Sequence, residues 1–344
     1  MSLRELETTA RALVARGKGI LAADDTVVAL TRRLAARAID STPDSRRASR
    51  ELFLSVPRAI DIVNGVSLHD ETIRQHSATG IAFPDLLARQ HIVTGIRVDG
   101  GAPLRGGSAA AHMSAGLDGL ADRLREYGVL GARFAKWRIA IPISDKRPGP
   151  ACLRDNAQAF GRFAAICQQR RFVPVVAPEV MMDGCHSLER CEEVTGSVLR
   201  AIFRELRAHE VHLEALILTT TMVVPGTICA VQASSEQIAA ATLRCLRSHV
   251  PAAVPGIAFV SAGQDPLDAT VRLNAIAQVP GPKPWALTFG FGGALQDEAL
   301  TAWGGWPDRV GDGQRAFLHR GTLVAAAAMG RYSPAMEEEH AVVA

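Results

Sequence analysis

Apolar residues along this chain recur in two rhythms that take turns, a helical one and a strand-like one. Residues 3–16 read as an amphipathic helix that Gly17-Lys18-Gly19 breaks. Ile20-Leu21-Ala22-Ala23 follows as a short strand, ending in Asp24-Asp25-Thr26 before a helix to about residue 36. Thr42-Pro43 opens another helix, with proline at its first position, running to about 55. Further strands are predicted over 60–68, 92–98, 131–143, 172–179, 213–224, 256–263 and 285–293. Helices are predicted over 114–127, 153–170, 187–209, 234–249, 265–278, 295–303 and 313–330, with a Gly-rich loop over 100–107. Eight strands alternating with helices are the signature of an α/β protein with a single closed (β/α)8 TIM barrel. One domain over 1–344 accounts for the pattern, and residues 334–344 are expected to form a mobile tail.

The run 131–143 stands out from the other strands. Alternation puts Phe134, Lys136, Arg138 and Ala140 on one face, and Arg133, Ala135, Trp137 and Ile139 on the other. A lysine and an arginine inside an apolar strand need compensation, because desolvating an unpaired ammonium costs roughly several kcal/mol. An ion pair at a strand end supplies it; so does a pocket that uses the cations. The chain has four lysines, Lys18, Lys136, Lys146 and Lys283, and its other 34 basic residues are arginine. Only lysine can condense with a carbonyl as an imine, since guanidinium does not give up its proton. Asp24, Asp25 and Thr26 cap the following helix well, but one cap suffices, which leaves another for chemistry. Ala177 and Glu179 share a face of one strand, and Ile217, Thr219 and Thr221 share a face of another.

Composition narrows the classes of function. The 344 residues carry a net charge of +3 with acids and bases interspersed, and aromatics are scarce. That pattern offers nucleic acid and membrane surfaces nothing to bind. No apolar run reaches the ~18 residues a spanning helix needs, and the charged start Met1-Ser2-Leu3-Arg4-Glu5 is not a signal peptide. The six cysteines lack C-x-x-C spacing and read as reduced cytoplasmic thiols. Cys185-His186 with Cys191 is a weak metal signal, so no metal or other cofactor is expected.

Several segments carry a family resemblance: Gly19-Ile20-Leu21-Ala22-Ala23-Asp24, Gly116-Leu117-Asp118-Gly119-Leu120, Phe134-Ala135-Lys136-Trp137-Arg138, Ile166-Cys167-Gln168-Gln169, Lys283-Pro284-Trp285-Ala286-Leu287-Thr288-Phe289 and Ala302-Trp303-Gly304-Gly305. Collinear from roughly residue 10 to 333, they resemble class I fructose bisphosphate aldolase of the animal and plant type. That family implies a TIM barrel, usually a tetramer, that cleaves its sugar through a lysine imine without a metal. The resemblance makes Asp24 an active-site aspartate and Lys136 the second active-site lysine. It makes Arg138 and Arg33 substrate- and phosphate-contacting arginines, Glu179 the outer of two glutamates, and Ser261 and Gly263 part of a phosphate-binding turn.

The departures bear on activity. Thr219 stands where the family has its imine-forming lysine, Ala177 where it has the acid/base glutamate, Gly100 for a lysine and Gly293 for a phosphate-clamping arginine. The C-terminal tyrosine is absent. Thr219 cannot form an imine, and three cations and one anion are gone, so cleavage of fructose bisphosphate is expected to be absent or very weak. The retained set suggests three readings. Lys136 forms the imine with a bulkier carbonyl substrate carrying one anionic group, Asp24 and Glu179 move protons, and Thr219 and Thr221 position water; Arg138 and Arg33, Ser261, Gly263, Gly292 and Gly293 hold the substrate. Alternatively, Lys136 and the carboxylates do acid/base work without an imine, as a dehydratase, cyclase or isomerase. The third reading is a pseudo-aldolase that binds without catalysis. Whether His69, near Ser67 and Asp70, joins the site is open. The excess of arginine over lysine suggests a GC-rich coding bias, as in some bacteria, where a divergent second aldolase fits a specialised pathway rather than glycolysis.

Overall fold

The computed structural model describes residues 2–100 and 116–338. Most of the expected Gly-rich loop, the first residues of the helix that follows it, and 339–344 lie outside them. Eight parallel strands form one sheet in sequence order: β1 Gly19–Ala23, β2 Val63–Leu68, β3 Val93–Arg97, β4 Phe134–Ile141, β5 Val173–Val180, β6 Ile217–Thr221, β7 Gly256–Val260 and β8 Ala286–Phe289. The edges meet where the Ala22 amide donates to the Phe291 carbonyl at 2.9 Å. Helices alternate with the strands on the outside, giving the TIM barrel that the pattern predicts.

Six of the strands, all but β1 and β5, are shorter than the apolar runs that predict them. Ala59–Asp61 and Leu213–Ala215 are 3-10 turns leading into β2 and β6. An apolar run cannot tell a buried lead-in turn from the strand it feeds. Two short helices between β2 and β3, Asp70–Ile73 and Phe83–Arg89, have no counterpart in the predicted elements. At four and seven residues they are too brief to show a period. Longer helices follow local chemistry. Pro43–Leu54 starts behind Thr42 in a capping box with Ser45, and Ser235–His249 starts behind Ser234 in one with Gln237. Ala335–Glu338, inside the expected mobile tail, is a helical turn whose Glu337 pairs with Arg320 at 2.9 Å.

Two apolar layers hold the barrel. The larger lies between sheet and helices, where Trp137 packs on Phe163 at 5.4 Å between ring centroids. The smaller plugs the lower end of the barrel: Leu6, Ala10, Leu13 and Val14 of the first helix, Leu3–Leu13 and its cap, meet Ile20, Phe134, Val175 and Ile217. Each large apolar side chain buried there contributes roughly 1.5–3 kcal/mol. Phe134 faces Gly95 in register, and a Cβ at Gly95 would lie 2.1 Å from its ring. The glycine is therefore a steric requirement of the plug.

Candidate active site

Above the plug the inward face changes character. Asp24, one residue past β1, is 5% exposed, and Lys136 of β4 is 6% exposed. Lys136 Nζ lies 3.0 Å from Asp24 Oδ2, which also accepts from the Ser67 hydroxyl at 2.6 Å. Thr26 caps the helix Val27–Ala35 and Asp25 pairs with Arg33, so Asp24 is spared for the interior. Burial alone would raise the Asp24 carboxyl, but Lys136, Arg97 and the Ser67 hydroxyl outweigh it and hold it below its ordinary value.

A second pair sits one step up the same strand. Arg138 Nε donates to Glu179 Oε2 of β5 at 2.6 Å, and the Arg138 amide donates to Asp99 Oδ2 at 3.0 Å. Arg97 of β3, aligned with Lys136, grips Asp99 through Nε and Nη2, with its closest bond at 2.7 Å. Burial lowers the Arg97 proton affinity, yet Asp99, Asp24 and Glu179 together raise it above the ordinary value.

These groups line a cavity of about 510 Å³, the size of a small-molecule site. Asp24, Lys136, Arg138, Glu179, Ser261, Gly263, Gly292 and Gly293 all face it. Ala262 and Gly263 both have positive φ, 49° and 87°, which bends the turn after β7 toward the cavity. A Cβ at Gly263 would meet nothing within 4 Å. Gly292 precedes the helix Gly293–Trp303 without a side-chain cap, leaving that end to backbone amides.

Other expected residues stand apart. Thr219 and Thr221 are buried on β6 and do not line the cavity; their hydroxyls have no hydrogen-bond partner. The Thr219 methyl sits 3.1 Å from the Cβ position of Gly290, a residue that does line it. Arg33 is not a lining residue, and its guanidinium is taken up by Asp25, Gln296 and Asp297. His69 caps the helix Asp70–Ile73, its Nδ1 accepting from the Glu71 amide at 3.3 Å, and does not line the cavity. Burial, with Arg50, lowers its pKa. Among the described residues no three His, Cys, Asp or Glu side chains come together as a metal site, and no helix is long and apolar enough to cross a membrane.

Sequence reasoning missed Arg97, Asp99 and Asp183. Arg97 and Asp99 carry the same two-residue spacing as Lys136 and Arg138, a signal that was there to read. Asp183, with Met181, Met182 and Thr227, forms the rim. That rim is built from two loops joined by the amides of Gly226, Thr227 and Ile228 donating to the carbonyls of His186, Met182 and Gly184 at 2.8, 2.9 and 3.0 Å. A Cβ at Gly226 would lie 2.2 Å from the Gly184 oxygen, so this joint too requires glycine.

The family model "Fructose-bisphosphate aldolase class-I" matches residues 5–343. This chain belongs to the class I fructose-bisphosphate aldolase family. A relative named "Probable fructose-bisphosphate aldolase class 1" from Xylella fastidiosa is 44% identical over 303 residues, 88% of this chain and 90% of the relative. "Fructose-bisphosphate aldolase C" from Mus musculus is 42% identical over 330 residues, 96% and 91% of the two chains. A solved fructose-bisphosphate aldolase from Plasmodium falciparum superposes with a TM-score of 0.91 at 37% identity, covering 96% of this chain and 95% of that one.

Proposed function

We propose that this aldolase-family chain is a carbon–carbon lyase or synthase that uses Lys136 on a carbonyl compound bulkier than a triose phosphate, and that it turns over fructose bisphosphate poorly or not at all. The observation that carries the reading is Lys136 itself. It is the one lysine among the described residues that lines the cavity, 3.0 Å from a carboxylate, while the sixth strand presents a buried threonine at the position where the resemblance puts the imine lysine. Lys283 is engaged elsewhere, donating to the Ala277 carbonyl at 2.8 Å.

The chemistry follows from the pairing. Asp24 takes a proton from the ammonium, the freed amine adds to the substrate carbonyl, and the resulting carbinolamine loses water to give the imine. Glu179, held by Arg138, then moves a proton at the adjoining carbon. Backbone amides of the Ser261–Gly263 turn offer one anionic group a seat. Beyond these amides, each cation on the wall among the described residues already has a carboxylate partner, which speaks against a second phosphate. A cytoplasmic homo-oligomer, a tetramer by the family resemblance, belongs to the same proposal.

Borohydride reduction in the presence of candidate aldehydes and ketones tests it. The expected result is a stable mass increase on the peptide containing Lys136, lost in Lys136→Ala, with no fructose bisphosphate cleavage near a typical enzymatic ~1–10³ s⁻¹. An adduct that survives Lys136→Ala sinks the assignment. The Lys136–Asp24 ion pair also supports a second reading, in which the ammonium serves as an acid and no imine forms. Under that reading Lys136→Met lowers turnover and neither protein can be trapped.

A further inference from the structure

The wall between β8 and β1 is backed by an arginine, Arg33, whose donors are already taken. Arg33 gives Nη1 to Asp25 and to Gln296 Oε1 at 2.7 Å, and Nη2 to Asp297 Oδ1 at 2.9 Å. Arg37 donates through Nη2 to the same Asp297 Oδ1, also at 2.9 Å. Asp25 and Gly293 line the cavity, and Asp297 Oδ2 lies 2.8 Å from where a Cβ on Gly293 would project. One carboxylate thus holds two guanidinium groups and fills the space directly behind a side-chain-free stretch of wall.

We infer that Asp297 is a specificity-determining residue: it locks Arg33 behind the cavity wall and sets this end of the site against phosphate dianions. A carboxylate at this position repels an incoming phosphate and also occupies the donors that phosphate would need. The substrate end that approaches Gly293 is then uncharged, a hydroxyl or a carbon chain, and any single anionic group is left to the Ser261–Gly263 amides. The burial pattern fits a lock. The Arg33 side chain is 19% exposed and that of Asp297 42%, so Asp297 can be removed without opening the core.

The inference rests on reading the cavity as the substrate site, but its test needs no turnover and no imine. Inorganic phosphate is titrated calorimetrically into the full-length chain and its variants, with thermal melting as the folding control. Asp297→Ala is expected to bind phosphate about tenfold tighter than the unmodified chain, the scale of one released charge-assisted contact. Adding Arg33→Met should abolish that gain. Asp297→Asn keeps the side chain's shape and reads the same release should the alanine variant fail to fold. Unchanged phosphate affinity in a folded Asp297 variant overturns the inference, as does a gain that persists with Arg33→Met. Failure to trap Lys136 while Asp297→Ala gains phosphate would overturn the imine reading alone.

Discussion

Phe134 and Lys136 share the inner face of one strand, roughly 7 Å apart along it, yet they belong to opposite regimes. Below, Phe134 fills the space left by Gly95 and packs with the first helix in an apolar plug. Above, Lys136, Arg138 and Arg97 sit among carboxylates in a cavity. A buried phenylalanine stabilises the fold by leaving water. A buried ion pair must first recover the cost of desolvation, and well-packed apolar residues do as well or better in its place. The contrast therefore separates what the barrel needs in order to fold from what it keeps for another reason.

Breaking the plug should have the largest effect. Phe134→Ala is expected to cost about 4 kcal/mol in urea-monitored unfolding, because the cavity it leaves lies between Leu6 and Leu13 of the first helix and Ile217 of β6, two elements that are anchored separately. A loss below about 1 kcal/mol would mean that the lower end repacks and is no plug.

Lys136→Met should come next, at about 3 kcal/mol, since it leaves Asp24 charged and buried. Arg97 and Ser67 still face that carboxylate, which keeps the cost at the low end of the range. Replacing both partners, Asp24→Leu with Lys136→Met, should return stability to within about 1 kcal/mol of the unmodified chain while ending any trapping by borohydride. A double variant as unstable as the single one would make the pair a structural requirement and collapse the contrast.

The smallest effect is a dependence on acid. The Asp24 pKa is depressed from 3.8 in the folded chain, so the unfolded chain binds its proton first as pH falls. The stability it contributes is complete above the unfolded value and is lost as pH drops through the lower, folded one. Unfolding free energies measured at about pH 5 and about pH 3 should differ less in Asp24→Asn than in the unmodified chain. An equal difference would show that Asp24 is not held ionised by its neighbours.

The barrel was legible because its repeat is written eight times over, in apolar strands separated by helices with caps such as Thr42 and Ser234. Lys136, Arg138, Asp24 and Glu179 were legible because charge is conspicuous in an apolar strand. Arg33 and Thr219 were harder, since position in the chain says where a residue starts and nothing of who reaches it first. Asp297 lies 264 residues from Arg33, and no local pattern announces that the two will meet. The short helices after β2 left no period to detect, and the rim residue Asp183 sits in a loop where an aspartate is unremarkable.

The two loops of the rim are stitched by backbone bonds at Gly226, Thr227 and Ile228. Because the stitch runs through main chain, side-chain replacement at Met182, Asp183 or Thr227 can alter what the doorway favours without changing its width. Lengthening either loop by one residue would pull on the other. The doorway is therefore open to rapid change in preference and resistant to change in size.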